Sequence, residues 1–544
     1  MRRTAVVLAA ASGLILSSLG AASAAPGKPG KPDAPGVLTV QLLAFNDFHG
    51  ALRPVSHQDE KVGGAAYTAG WIRALSEENR NTLVLSAGDL IGGSPLQSAL
   101  FHDEPTIEAA NLMGVDVGGV GNHEFDEGVD ELLRMTRGGC HPDDGCFGGD
   151  GFAGASFPYL AANVVWEDSR DPILPPYTVQ KVRGMRVGFI GVTLEETPSI
   201  VLPSGIEDVD FLDESKTIKR YVDELKERRV ETIVVLLHQG GAAGGGPNAC
   251  KDLDGPFLKE IRSSPAEVDA WVTGHTHDSF VCQVEGDPVT MAGSSGRFVT
   301  ELDLTISRRT KDVVKTSATN HLTTHGPVEP VQAVQDLVDH YKSLAEEEMQ
   351  EVIGRTSEAI REDYDPSQES PLGNLIADSQ VAATPDAAVA FMNPGGIRAN
   401  LDKGPVTYAE AFAILPFGNT LVSMDVTGEQ ILQLLDEQWC GQEYPRVLQV
   451  SEGFGYTWRS GADVACDERV IDSSVTIGGE SLAPSATYRI VTNNFLAAGG
   501  DSFETFTRGA NRVSGVSALE ALVTYLPDDS AVAAPSTPRI DVTG

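Results

Sequence analysis

The fold and the chemistry of this chain can be read outward from residues 115–126, which read Val-Asp-Val-Gly-Gly-Val-Gly-Asn-His-Glu-Phe-Asp. The first half is mostly apolar and has the length of a buried strand. An amide, an imidazole and two carboxylates follow at once, at Asn122, His123, Glu124 and Asp126. A core has no use for such a cluster, because buried polar atoms without partners destabilise a fold. The stretch therefore predicts a functional site at the end of a strand.

Strand-length apolar runs alternate with helical patterns on both sides of this stretch, between residues 37 and 304. The runs cover 37–45, 82–87, 115–120, 186–192, 232–237 and 268–273, and one helical pattern covers 215–229. This alternation predicts a layered α/β domain. Ligands of open α/β sheets bind beyond the carboxyl ends of the strands, so the polar residues that follow these runs are expected to converge.

Several of these polar residues are candidate metal ligands: Asp47, His49, Asp89, Asn122, His238, His275 and His277. The first two and the last two form pairs one residue apart, and an extended backbone would place both side chains of a pair on one face. Mixed nitrogen and oxygen ligands suit zinc, manganese or iron better than calcium. The set is too large for one tetrahedral ion and suits two ions bridged by Asp89. Alone, each residue would be read as a turn, cap or hydrogen-bonded residue.

Three stretches of the C-terminal part have the character of ligand-binding loops. They read Asn-Pro-Gly-Gly-Ile-Arg at 393–398, Leu-Pro-Phe-Gly-Asn at 415–419 and Asn-Asn-Phe-Leu-Ala-Ala-Gly-Gly-Asp at 493–501. Glycine allows a backbone to approach a ligand closely, and Arg398 can pair with a phosphate or carboxylate. Phe417 and Phe495 would each be read as core residues in isolation. Together, two rings can clamp a planar base, with Asp501 near for a ribose hydroxyl.

These motifs carry a family resemblance. Asp-x-His, Gly-Asp, Gly-Asn-His-Glu, a His after a strand and Gly-His-x-His, in that order, resemble the calcineurin-like metallophosphoesterases. Gly-Asn-His-Glu-Phe-Asp and the C-terminal stretches resemble the secreted 5'-nucleotidase family. The resemblance implies two divalent ions, zinc being favoured over manganese, magnesium or cobalt. One ion would be held by Asp47, His49, Asp89 and His277, and the other by Asp89, Asn122, His238 and His275.

The resemblance also implies roles in catalysis and substrate binding. Hydrolysis would proceed by direct attack of a metal-bound hydroxide on phosphorus, without a covalent enzyme intermediate. His123 would contact the phosphate and Asp126 would orient its imidazole, although an Asp here can also cap the following helix. The implied substrate residues are Asn393, Arg398, Phe417, Phe495 and Asp501. One departure is that residues 365–371, before Gly-Asn-Leu-Ile at 373–376, lack the Arg that the family often carries there, which leaves the substrate range open.

The chain has the organisation expected of an exported two-domain protein. Residues 1–24 have the charged, apolar and small-residue order of a signal peptide, and a membrane anchor is the weaker alternative because the apolar run is short. The expected divisions are a flexible leader at 25–36, a metallophosphoesterase domain at 37–325, a linker helix at 326–352 and a substrate-binding 5'-nucleotidase domain at 353–544. Two capping boxes, Thr407 with Glu410 and Thr427 with Gln430, are expected to begin helices. The mature protein is expected to be secreted without stable membrane insertion, and association with a cell wall is left open.

The net charge limits the classes of partner that the protein can bind, and the cysteine content indicates the compartment in which it folds. A formal charge of -37 over 544 residues disfavours a nucleic-acid polymer as partner, since such binding neutralises phosphates with Lys and Arg. An even number of cysteines in an exported chain predicts disulfides. Of the fifteen pairings that six cysteines allow, we expect the nearest neighbours to pair: Cys140 with Cys146, Cys250 with Cys282 and Cys440 with Cys466.

The motifs and the family resemblance that they carry imply a phosphohydrolase that converts nucleoside 5'-monophosphates, as small-molecule substrates, to nucleosides and phosphate. Sister activities on the same scaffold are the first alternative: a 2',3'-cyclic phosphodiesterase with 3'-nucleotidase activity, or a nucleotide-sugar or dinucleotide pyrophosphatase. A non-catalytic extracellular binding protein is the second alternative. The preferred base and the oligomeric state are not readable from the residues.

Overall fold

The computed structural model describes residues 34–544 except 59, 143, 148–150, 443 and 527–529, and it leaves the side chains of 347 and 348 undescribed. The predicted signal peptide at 1–24 and residues 25–33 of the predicted leader lie outside the described residues.

Two six-stranded sheets form the N-terminal half. In spatial order the first contains Val313–Leu322, Phe298–Ser307, Val37–Phe45, Thr82–Ala87, Val117–Gly119 and Tyr159–Leu160. The second contains Ser279–Val284, Asp287–Ala292, Ala270–Thr273, Thr232–His238, Met185–Thr193 and Tyr177–Val182. Leu85 and Val117 of the first sheet share a buried cluster with Phe189 and Val234 of the second. The two sheets therefore pack face to face, and both are parallel at their centres.

Helices cover the outer face of each sheet. The first sheet is covered by Ala65–Ser76, Leu96–Ala99, Glu104–Met113 and Val129–Arg137, and the second by Glu214–Glu227 and Phe257–Ser263. Three short two-stranded antiparallel sheets lie outside the two large sheets. They pair Val55–His57 with Glu60–Val62, Val164–Trp166 with Val209–Phe211, and Ala242–Gly244 with Lys251–Asp254. The layered α/β fold predicted from the alternating runs is confirmed.

Helix Gln332–Met349 follows the N-terminal sheets and lies within the segment 326–352, where a linker helix is predicted. Its apolar face does not stand free. Val334 and Val338 are buried in the cluster that contains helix Ala65–Ser76, and Tyr341 packs on Phe101 while its hydroxyl donates to Glu108 at 3.2 Å. The helix is therefore fixed to the N-terminal half before the chain enters the C-terminal half.

The C-terminal half is built on a five-stranded sheet with a cluster of buried apolar residues on each face. Its spatial order is Gln449–Val450, Val389–Met392, Thr487–Asn493, Thr420–Thr427 and Ala510–Ser517. A four-stranded sheet contains Glu480–Ser481, Thr476–Ile477, Phe454–Arg459 and Ile540–Thr543, and Val352–Thr356 pairs with Gly404–Thr407. The helices are Pro371–Ala382, Tyr408–Ile414, Gly428–Glu437, Asn494–Ala497 and Ala518–Tyr525. Both predicted capping boxes are present, at Thr407 with Glu410 and at Thr427 with Gln430.

The predicted disulfides are confirmed: Cys140–Cys146, Cys250–Cys282 and Cys440–Cys466. Each closes a local loop rather than joining the two halves of the chain. Within the described part of the chain, every helix is too short or too polar to span a bilayer.

Candidate active site

The predicted metal ligands meet at one edge of the N-terminal sandwich, where parallel strands of both sheets end. Phe45 and Ala87 are the last residues of two strands of the first sheet, and His238 and Thr273 end two strands of the second. Side chains far apart in sequence touch here: His49 Nε2 lies 3.0 Å from His277 Nε2, although the two residues are 228 positions apart. The convergence predicted from the ends of the apolar runs is confirmed.

The backbone reaches this edge in an unexpected way. The φ angles are 48° at Asp47, 46° at His49, 77° at His275 and 58° at His277, and Asp89 has 50°. The prediction that the two pairs lie on extended backbone is therefore wrong: each strand ends before its pair, and the pair sits in left-handed turns. Such conformations cost about 1–3 kcal/mol each and persist only where surrounding contacts impose them. Here they aim both side chains of a pair at one point.

One group of ligands surrounds His49. Its Nε2 lies 4.0 Å from Asp47 Oδ1 and 3.8 Å from Asp89 Oδ2. His277 Nε2 completes the group at 3.6 Å from Asp47 Oδ1. Asp47, His49 and His277 offer ligand atoms that all lie within 4.8 Å of one another, which is compatible with a single ion between them.

A second group shares Asp89 with the first. His238 Nε2 lies 3.0 Å from Asp89 Oδ2 and 3.2 Å from Asn122 Oδ1, and His275 Nδ1 lies 2.9 Å from the same amide oxygen. Asp89 is thus the only carboxylate of the predicted set, among the described residues, that faces imidazoles of both groups. This position is compatible with the bridging role predicted for Asp89.

Backbone carbonyls fix the tautomers of two imidazoles so that lone pairs face inward. His49 Nδ1 donates to Gly92 O and His238 Nδ1 donates to Ala87 O, each at 2.8 Å. A neutral ring held in this way carries its lone pair on Nε2, ready for a metal. Burial lowers the pKa of His275 to about 3 and that of His277 to about 4, which keeps both rings neutral.

Several electron-rich atoms of this edge face one another at short range. Asp89 Oδ2 lies 3.0 Å from His238 Nε2, and His49 Nε2 lies 3.0 Å from His277 Nε2. A cation bound between such atoms would compensate the cost of burying them. The donor set, four imidazoles with two carboxylates and an amide, fits divalent ions of the zinc and manganese type.

His123 and Asp126 form a hydrogen-bonded pair beside the metal ligands. His123 Nδ1 contacts Asp126 Oδ2 at 2.8 Å, and the same oxygen accepts from Gly93 N at 3.1 Å. Burial alone lowers the pKa of His123, but Asp126 and Asp89 outweigh it and raise that pKa above its ordinary value. Helix Val129–Arg137 begins after Gly128 without a side-chain cap, so Asp126 does not serve as its cap. The carboxylate is left to hold the imidazole.

A cleft between the two halves of the chain opens onto this centre. A cavity of about 170 Å³ is lined by His123 and Asn122 on one side and by Phe417, Phe495 and Arg398 on the other. The Phe417 ring stacks on His123 with centroids 5.8 Å apart and planes at 16°. The aromatic pair predicted from the C-terminal loops therefore faces the metal ligands across a single space.

Two known family models match this chain, one on each side of the cleft. A calcineurin-like phosphoesterase model matches residues 40–279, and a 5'-nucleotidase C-terminal domain model matches residues 352–508. A Listeria monocytogenes relative, cell wall protein Lmo0130, is 31% identical over 90% of this chain and 67% of its own length. The chain belongs to the calcineurin-like metallophosphoesterases that carry a 5'-nucleotidase C-terminal domain.

Other members of this metallophosphoesterase family extend the comparison. Endonuclease YhcR of Bacillus subtilis (strain 168) is 34% identical over 90% of this chain, but the chain spans only 39% of that relative's length. The crystal structure of a 5'-nucleotidase precursor from Thermus thermophilus superposes with a TM-score of 0.78 at 29% identity, covering 93% of this chain and 99% of that one. The family is one of metal-dependent phosphoesterases.

Glu124, which the sequence left without a role, supports the metallophosphoesterase centre from behind. Its buried carboxylate accepts from Asp89 N at 2.9 Å, Leu90 N at 2.8 Å and Gly121 N at 2.6 Å. These bonds tie the turn that carries Asp89 to the loop that carries Asn122. Gly121 is required at this crossing, because a Cβ there would collide with Asp89 Oδ1.

The substrate residues predicted by family resemblance all line the cleft. The side-chain amide of Asn393, however, is already hydrogen-bonded to other residues of the chain. Its Nδ2 donates to Asp501 Oδ2 and its Oδ1 accepts from Asn493 Nδ2, both at 2.9 Å. Asn393 therefore holds Asp501 in place within this cavity wall. Asp501 is buried, and its backbone adopts φ 55°.

Sequence reasoning missed three features of the family's cleft. Asn46 donates to Asp47 Oδ2 and accepts from Ala292 N at 2.8 Å, which fixes a metal ligand. Tyr444 and Arg446 line the cavity beside Asp501. The Tyr-Pro-Arg sequence at 444–446 is the available signal, since binding residues lie disproportionately often on loops.

Proposed function

We propose that this chain is a two-metal 5'-nucleotidase that hydrolyses nucleoside 5'-monophosphates to nucleosides and inorganic phosphate. The observation that carries the proposal is a single cleft with the metal ligands on one wall and Phe417 and Phe495 on the other. A phosphate at the ligands and a base between the rings fit the two ends of a nucleotide. The Thermus thermophilus 5'-nucleotidase precursor, similar over nearly its whole length, supports the same reading.

The proposed ligand sets divide the metal edge between two ions. Asp47, His49, Asp89 and His277 hold one, and Asp89, Asn122, His238 and His275 hold the other. When bound, such ions supply Lewis-acid stabilisation of the charge on a phosphoryl group and an activated water nucleophile. Zinc fits the donors best, and manganese, magnesium or cobalt are the alternatives.

The chain's own residues perform the remaining work. His123 keeps Nε2 free while Asp126 holds Nδ1, so the imidazolium can donate to a phosphate oxygen as negative charge develops. Arg398, with its guanidinium carbon 5.7 Å from the centre of the Phe417 ring, neutralises substrate charge at the mouth of the centre. Phe417 and Phe495 stack the base, and Asp501 accepts from a ribose hydroxyl.

We propose the same division of labour for the chain as a whole. Residues 37–325 carry the metals and the chemistry, 326–352 link the halves, and 353–544 recognise the substrate.

Residues 1–24 direct export and are removed, and small nucleotides rather than nucleic-acid polymers are the partners. Three disulfides support an oxidising compartment. Amino-terminal sequencing of the protein recovered outside the cell tests the export step, and a chain that still begins at Met1 inside the cell would contradict it.

A phosphate-release panel with 5'-AMP, 3'-AMP, cyclic 2',3'-AMP, UDP-glucose and NAD tests the choice of substrate. The proposal predicts that 5'-AMP has the highest kcat/KM. Negligible 5'-AMP turnover beside fast turnover of the cyclic ester would assign the sister 2',3'-cyclic phosphodiesterase activity instead. Metal-loaded protein that hydrolyses none of these and no aryl phosphate would indicate a binding protein.

A further inference from the structure

The nucleotide cleft continues into a side compartment that the proposed reaction leaves unused. This compartment has a volume of about 310 Å³. It joins the cleft through a shared wall that contains Gly395, Arg398, Tyr444, Arg446 and Asp501. A substrate bound at Asp501 therefore has open space beyond its ribose.

Two tyrosines that line this compartment are exposed without a folding reason. The side chains of Tyr364 and Tyr444 are 39% and 58% exposed, and they are the only aromatic residues among the exposed large hydrophobic residues of the described chain. Both line this compartment. Large rings left in solvent contribute little to stability, and their concentration at one hollow indicates a ligand with a flat or apolar part.

Arg446 brings a positive charge to the boundary between the two spaces. Its Nε lies 3.6 Å from Asp501 Oδ1, and its guanidinium carbon lies 4.5 Å from the centre of the Tyr444 ring. The guanidinium donates to Gln442 Oε1 and to the Tyr444 hydroxyl, which fixes its position but leaves further N–H groups free. A fixed fork of donors beside a ribose-binding carboxylate suits a second phosphate.

Arg446 has a partner in this task. Arg398 lines both spaces as well, and these two are the arginines among the described residues of either wall. In a chain of net charge -37, two guanidinium groups that border one hollow make a local exception to a repulsive field for anions. Glu362, which lines the side compartment, accepts from the Tyr364 hydroxyl at 3.2 Å and so restrains that ring.

We propose that the side compartment, through Arg446, binds a phosphate attached to the ribose 3'-oxygen of the substrate. The inference rests on the proposed 5'-nucleotidase function, in which Asp501 accepts from a ribose hydroxyl. With the 2'-hydroxyl on Asp501, a group on the neighbouring 3'-oxygen lies within reach of Arg446. The substrate class is a nucleoside 5'-phosphate that carries a 3'-phosphate, either free or esterified to a second nucleoside that rests on Tyr444 and Tyr364.

The reaction stays the same and its atoms balance. Water adds to the 5'-phosphorus, the bond from phosphorus to the 5'-oxygen breaks, and that oxygen takes a proton. Inorganic phosphate leaves, and the product is a nucleoside 3'-phosphate whose 3'-ester is intact.

Initial rates with 5'-AMP, adenosine 3',5'-bisphosphate and the dinucleotide pApA test this subsite, with products separated by chromatography. The wild-type enzyme is expected to show a kcat/KM about tenfold higher for the bisphosphate than for 5'-AMP, through a lower KM, and to release adenosine 3'-phosphate. Arg446→Met is expected to lower this selectivity ratio to about one, and Arg446→Lys to restore part of it. The ratio is the readout, because general damage to the cleft affects both substrates. Tyr444→Ala is expected to lower the ratio of kcat/KM for pApA to kcat/KM for 5'-AMP.

Arg361→Met is the matched control, because it removes an arginine that pairs with Asp402 and lines neither space. It should leave the selectivity ratio at the wild-type value. A wild-type ratio of one or less, or a ratio that Arg446→Met does not change, overturns the subsite while 5'-AMP turnover leaves the nucleotidase intact. A kcat/KM above that for 5'-AMP with UDP-glucose or NAD, without such an increase for the bisphosphate, also overturns the 3'-phosphate subsite. If the wild-type enzyme does not hydrolyse 5'-AMP, the proposed 5'-nucleotidase function itself is wrong.

Discussion

His123 presents one free ring nitrogen to the cleft, because Asp126 holds the other at 2.8 Å. We expect His123→Ala to retain both metals and to lose about 10²- to 10³-fold in kcat, the usual effect of removing one donor to transition-state charge. Asp126→Asn should give a smaller loss, since the imidazole remains. Metal analysis beside steady-state kinetics measures both quantities. An unchanged kcat in His123→Ala would exclude the residue from the reaction.

Glu124 acts one step further from the substrate, through the turns that carry Asp89 and Asn122. Burial, reinforced by Asp89, raises the pKa of its carboxyl to about 7. Glu124→Gln replaces one acceptor oxygen by an NH2 group that cannot accept from those N–H groups, so metal affinity should fall by about 10- to 100-fold. Calorimetric titration of apoprotein with zinc checks this, with the exposed Glu78→Gln as control. Equal affinities in the two variants would contradict the supporting role.

His102 gives a pH dependence away from the metal centre. Its pKa is raised to about 9, chiefly by the hydrogen bond to Glu127 and against burial, with Asp144 contributing. The charged ring therefore stabilises the fold fully below its unfolded pKa of about 6.5, and this stabilisation is lost as the pH rises through 9. Thermal unfolding at pH 6 and pH 9.5 should show a smaller decline in Tm for His102→Asn than for wild type. The Tm of the control variant His340→Asn, which changes an exposed histidine, should decline as much as that of wild type. An equal decline in Tm for His102→Asn and wild type would refute the stabilising role of His102.

Among the elements, apolar runs were sufficient to place six of the twelve strands in the two N-terminal sheets. The runs at 37–45 and 82–87 coincide with the observed strands, and the helix expected at 215–229 is Glu214–Glu227. These elements are buried and regular, so composition and period determine them. The run at 115–120 shortens to Val117–Gly119, because only these residues pair with a neighbouring strand.

The turns after the strands were not predictable in the same way. Asp47 and His277 adopt positive φ, which is uncommon for any residue other than glycine and which contacts from distant segments impose here. The Asp47 carboxylate accepts from the backbone N–H of His275, 228 residues away, and no local pattern encodes that contact. The identity of the ligands was readable from spacing, but the backbone that aims them was not.

Arg446 shows a second limit of predicting site residues from sequence motifs. The expected Arg before residue 373 is absent, and a guanidinium reaches the cleft from a turn more than seventy residues later. A motif search fixed on one position cannot find a charge delivered from another segment. Only the packing of the C-terminal sheet places that turn beside Asp501.

At the scale of the whole molecule, the two halves divide the work between chemistry and recognition. Phe417→Ala and Phe495→Ala are each expected to raise KM for 5'-AMP by about 5- to 100-fold, since stacking a base on an aromatic ring contributes about 1–3 kcal/mol. The metal content should stay at the wild-type value, because both rings belong to the second half and the predicted ligands all belong to the first. Steady-state kinetics with metal analysis separates the effects. A fall in kcat with KM unchanged would place the rings in the chemistry and contradict the division.

The proposed mechanism requires that one chain hold two ions bridged by Asp89 and use both to hydrolyse 5'-AMP. Stepwise titration of the metal-free protein with zinc, with phosphate release from 5'-AMP followed at each addition, tests it most directly. Phosphate release should rise with the second equivalent of metal and reach a plateau at two ions per chain, and Asp89→Ala should never reach this plateau. Full activity at one equivalent, or without metal, would contradict it.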